Sequence, residues 1–158
     1  MKKVITAAVL AVLLFIPFSQ PLYAQTAARL EALLGKTELT WAEMAAFVLE
    51  AADVGTYGSA DGAFNAAMQN KWLPKKAESG GTARLDGAAL LLMRSFGLKG
   101  GLFYSMAKSP HHAYRELVFK KVIRDGIDPR MNVSGQDLLL MIGRLLAMRE
   151  NAAGGAAQ

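Results

Sequence analysis

Two histidines stand side by side, His111-His112, and the chain has no others. An imidazole pair can hold a metal or relay a proton, but neighbours on a helix point about 100° apart and share no face. With no acid or cysteine at ligand spacing, they read as solvent-facing side chains at a helix start after Ser109-Pro110. No metal site is expected. Asp125 and Asp128 flank a Gly/Pro turn and read first as turn formers. Glu43, Asp86 and Asp137 are the acids that could do general acid/base work, because each falls near the same point of a repeated pattern. That point is a helix start, where capping and the helix dipole already account for a carboxylate. There is no cysteine, nucleophile elbow, phosphate-cradling loop or zinc signature, and "GLKGG" lacks the strand that would make it a nucleotide motif. No catalytic residue and no cofactor are expected.

Residues suited to binding remain. Trp41 and Trp72 lie at the start and the end of helical segments, where an indole either seals packed helices or stacks on a sugar. The run Leu102-Phe103-Tyr104-Ser105-Met106 either plugs the core or presents Phe103 and Tyr104 as surface anchors. Lys75, Lys76, Lys120, Lys121, Arg124 and Arg130 are scattered without aromatic interleaving, so they read as solvated surface and not as a nucleic-acid footprint.

Something must position these groups, and the first step is to set aside what is not part of the fold. Lys2-Lys3, the apolar run Val4 to Ile16, Pro17, Pro21 and Leu22-Tyr23-Ala24 have the order of a secretory signal peptide over residues 1–24. The apolar run is shorter than the ~20 residues of a spanning helix, so cleavage is expected in preference to a retained anchor, with no stable membrane span afterwards. Losing Lys2 and Lys3 takes the formal charge from +5 to about +3. The mature chain is expected to be exported, in the periplasm or associated with the cell envelope.

Over residues 25–150 the apolar residues recur at helical spacing. Ala28 to Leu34 offers Leu30, Leu33 and Leu34 to one face, with Gly35 as a stop. Thr40 and Glu43 form a capping box ahead of Met44, Phe47, Val48 and Ala51. Ala63 to Leu73 makes a further helix closed by Pro74, and "LDGAALLLMRSFGL" an apolar one ended by Gly97. Ser109-Pro110 opens another, with Tyr114, Leu117, Val118 and Val122 as its buried stripe. Ser134 and Asp137 repeat the capping pair before Leu138, Met141, Ile142 and Leu145. Residues 151–158 have nothing to bury and are expected to form a flexible tail.

Phe64 falls on Tyr114, Lys71 on Lys121, Leu90 on Leu140 and Arg94 on Arg144, each pair 50 positions apart, in a register without gaps from Ala63 to Met148. A shift of 44 sets Phe47 over Leu91 and Val54 over Leu98. A shared register of this length signals internal repeats, here three helix-loop-helix units that cannot bury their apolar faces alone. Phe47, Leu91 and Met141, with Val48, Leu92 and Ile142, are expected in one central cluster.

The amphipathic helix, the Gly/Pro/polar loop and the Thr-x-x-Glu start of a second apolar helix, three times over, resemble surface-layer homology (SLH) repeats. "LTWAEMAAFVLEAA" and "HHAYRELVFKKVIRDGIDPRMNVSGQDLLLMIGRLL" look like envelope proteins of spirochaetes that carry this architecture. The resemblance covers roughly residues 28–148 and implies an all-α, pseudo-threefold helical prism. It also implies a non-catalytic envelope module that binds or scaffolds cell-wall polysaccharide, or another envelope protein. SLH domains use an Arg in the Thr-Arg-Ala-Glu start of the second helix; here Trp41, Leu85 and Gly135 occupy that place. Arg84, one residue early, stands in for it. The alternative is a cell-wall-acting enzyme that uses the carboxylates at the helix starts.

Overall fold

A computed structural model describes residues 22–155, all-helical with seven helices and no strand among the described residues. The helices are α1 Leu22–Leu34, α2 Trp41–Ala51, α3 Ala60–Gln69, α4 Leu85–Ser95, α5 Leu102–Ala107, α6 Pro110–Phe119 and α7 Gly135–Gly155. Residues 1–21, which hold most of the expected signal peptide, lie outside the described residues. The chain divides into two compact units, Met1–Ala32 and Leu33–Gln158. Of the first, residues 22–32 are helical and the side chains from 27 onward are exposed. The apolar face expected there is only partly realised: Leu33 is buried, whereas Leu30 and Leu34 are exposed. A stripe within a single helix says which residues could be covered, not whether a neighbour covers them.

The second unit owes its helix starts to local chemistry. At α2 the Thr40 hydroxyl accepts from the Glu43 amide while Glu43 accepts from the Thr40 amide, the reciprocal capping box. At α7 the Ser134 hydroxyl accepts from the Asp137 amide at 3.1 Å. Ser109 caps α6 and Pro110 occupies its first turn. Ser59 caps α3 through the Gly62 amide at 3.1 Å, so the helix opens at Ala60, three residues before the apolar spacing indicates.

In α4 every residue from Gly87 to Met93 is buried, the pattern of a helix enclosed on all sides. α2 packs on α3 and α4 on α6. Val48, Leu91, Leu92, Met141 and Ile142 fall in one core cluster, with Phe47 half-buried against it. Tyr114 and Val118 are half-buried rather than buried, and the Tyr114 hydroxyl reaches the Ile127 carbonyl. α7 continues through residues expected in the tail as far as Gly155, exposed over 151–154.

The short extended segments ahead of α2, α4 and α7 meet in a closed ring. The Leu39 amide donates to the Val133 carbonyl (2.9 Å), Val133 to Ala83 (3.0 Å) and Ala83 to Leu39 (2.8 Å). One step along, Trp41 donates to Gly81, Leu85 to Met131 and Gly135 to Lys36, at 2.9 to 3.0 Å. Left-handed backbone also recurs in register: Lys71 and Lys121 (φ 57° and 62°), and Asp53 and Gly97 (both 61°). Buried backbone groups need partners, and these three segments supply one another's.

Candidate functional site

The start of α4 forms one wall of an open groove of about 310 Å³, bounded by Trp41, Pro74, Lys76, Thr82, Arg84 and Asp86 among others. Arg84 is the N-cap residue of α4 yet makes no capping bond with its side chain. Its guanidinium instead pairs with Asp86 at 3.0 Å, its side chain about half exposed. Asp86 also accepts from the Gly87 amide at 2.8 Å, which holds the carboxylate at the helix start. The groove therefore offers two cations, a fixed carboxylate and a hydroxyl to a polar ligand.

Trp41 closes the groove from below. It is 6 % exposed, and a Cβ on Gly87 would lie 2.2 Å from its Cη2 and 2.9 Å from the Pro74 ring. Gly87 is thus the space the indole occupies. The ring is a wall of the groove and not a free platform for a sugar face, which corrects Trp41 as a stacking residue. Of the five residues singled out for binding, the fold brings Trp41 and Arg84 together. Trp72 is elsewhere, half-buried against the core.

Phe103 and Tyr104 part company. Phe103 is 71 % exposed, while Tyr104 is buried, its hydroxyl without a hydrogen-bond partner. Burial pushes the phenol pKa up, Arg94 pulls it down and Glu116 adds to the rise. Tyr104 is therefore a core anchor, which corrects its reading as a surface contact. The plug reading is corrected in turn for Leu102, Phe103 and Met106, which are exposed.

Each acid considered for catalysis is already engaged. Glu43 holds the α2 cap and the Lys36 ammonium; Asp137 serves Ser134; Asp86 holds Arg84. Burial raises the Glu43 pKa, but Lys36 together with the Thr40 amide and hydroxyl outweigh it, leaving the carboxyl below its ordinary value of 4.5. A depressed carboxyl stabilises the fold above its unfolded pKa and loses that contribution as pH falls through the folded value. Glu43→Gln is therefore expected to lower stability at about pH 7, with the gap to wild type narrowing as pH falls below the ordinary carboxylate value, read from urea unfolding across that range. His112 shares a 2.7 Å contact with the Ser109 hydroxyl at the α6 cap, and His111 is exposed. Among the described residues no three His, Asp or Glu side chains converge.

Lys76, Thr82 and Asp86 were not legible as binding residues. Lys76 reads as solvated surface in the sequence, and only the ring of extended segments brings residue 82 beside residue 40. No protein-family model, curated protein or solved structure matches the chain.

Proposed function

We propose that this chain is a non-catalytic, exported envelope module with an SLH-like, pseudo-threefold arrangement of its three units, binding wall glycan through the groove at the start of α4. The ring of backbone bonds among Leu39, Ala83 and Val133 supports the arrangement, because residues 44 and 50 positions apart stand in equivalent places. The observation that carries the binding reading is Arg84 in that groove beside Asp86, Lys76 and Thr82. Planar guanidinium, carboxylate and hydroxyl groups suit the dense hydroxyls and acidic groups of a wall polysaccharide. Another envelope protein is the second possible occupant.

The test is co-sedimentation of the chain from Gln25 onward with purified peptidoglycan sacculi that retain their secondary polysaccharide. Among the described residues every buried core residue lies between Leu33 and Leu145, all of them within this chain. Binding at low salt is expected, and Arg84→Ala should weaken it roughly 10-fold or more, the worth of a charged hydrogen bond. A protein that stays in the supernatant, or an Arg84 variant that sediments like wild type, would sink the glycan reading.

A further inference from the structure

α5 is held in place in an unusual way for a six-residue helix. Tyr104 anchors it in the core, and the Gly101 amide at its start donates to the Glu116 carboxylate on α6 at 2.8 Å. A Cβ on Gly100 would lie 2.5 Å from the Tyr104 ring, so the approach is built around that side chain. Yet Leu102, Phe103 and Met106 are 72 %, 71 % and 79 % exposed. At helical spacing these three share the arc facing away from Tyr104. The apolar face is thus fixed outward by its own anchors, with exposed Lys99 before the helix and Lys108 directly after it.

A cavity of about 570 Å³ adjoins the end of α5, lined by Ala107 and Lys108 together with Lys71, Lys75 and Arg94. No acid lines it, and none of these four cations makes an ion pair among the described residues. Arg144, 50 positions on, donates to the Val122 carbonyl at 2.7 Å, whereas the buried Nε of Arg94 has no partner. An unneutralised group of cations next to a fixed apolar face matches the layered chemistry of a lipid surface, phosphate above and acyl chain below.

We propose that α5 and this cavity form a membrane-surface docking site for anionic phospholipid. Leu102, Phe103 and Met106 enter the boundary between headgroups and acyl chains, and Lys71, Lys75, Arg94 and Lys108 receive a headgroup phosphate. No described helix is long and apolar enough to cross a membrane, so contact is with the surface. Pro74 and Pro110 border both this cavity and the groove at Arg84, but the four cations and the three apolar side chains named here belong only to this site, so its test is separate from that of glycan binding.

The experiment is flotation of the chain from Gln25 onward with vesicles of phosphatidylglycerol and phosphatidylcholine in equal parts, and with phosphatidylcholine alone. Two variants accompany it: Leu102→Ser/Phe103→Ser/Met106→Ser, which spares Tyr104, and Lys75→Gln/Arg94→Gln. Circular dichroism melts establish that each is folded. Binding to the mixed vesicles is expected, released by salt. The serine variant should lose about 10-fold or more, and the glutamine variant roughly 20- to 30-fold, at about five-fold per cation. Equal binding to both vesicle types, wild-type binding by a folded serine or glutamine variant, or no flotation of the wild type overturns the proposal. The last result, joined to self-association that the serine variant abolishes, would assign the face to a second copy of the chain.

Discussion

Leu91→Ala should lower the stability of the second unit by about 2–5 kcal/mol, the cost of emptying a fully enclosed leucine site. Leu91 is 0 % exposed and lies in α4, a helix with buried residues on every side. The lost methyl groups remove transfer free energy, and a close-packed core collapses little into the space. The midpoint of urea unfolding at constant slope reads the loss. A change below about 0.5 kcal/mol would mean that this face of α4 is solvated.

Gly135→Ala is the second large effect. A Cβ there would stand 1.7 Å from the Leu33 carbonyl oxygen and 2.6 Å from its carbon. Both are backbone atoms, and the adjacent bond from the Gly135 amide to the Lys36 carbonyl, 2.9 Å long, ties the two segments together. The contact can be relieved only by separating them, so a loss of about 1–3 kcal/mol or more is expected. Gly143→Ala is the control: it lies in the same helix with nothing within 4 Å, and should stabilise by roughly 0.5–1 kcal/mol. Thermal melts of the two variants should move in opposite directions. If both rise, the close approach of Leu33 and Gly135 is wrong.

Gly135 also shows why the position after Ser134 carries no side chain. It faces the Leu33 backbone, and no side chain fits there. At the start of α2, Trp41 fills the hollow over Gly87. The cations that line the groove are Arg84 and Lys76.

What the sequence determined by itself was local. Capping at Thr40, Ser109 and Ser134 involves partners three residues away, so the helix starts were legible before any packing was known. The all-α class and the core sets around Leu91 and Leu92 follow from apolar spacing over whole helices, which is a property of the chain alone. Tertiary structure decided the rest. The six residues of α5 carry too short a pattern to tell a buried side from an exposed one; Tyr104 went inward because Gly100 leaves room for its ring and Glu116 pins the helix start. Arg94 and Arg144 occupy equivalent positions in the register, yet one finds a carbonyl and the other faces a cavity lined by lysines. Lys71, Lys75 and Lys108 look dispersed along the chain and gather only where the fold brings them to one cavity with Arg94. Charge and exposure depend on neighbours distant in sequence, and periodicity carries no record of them.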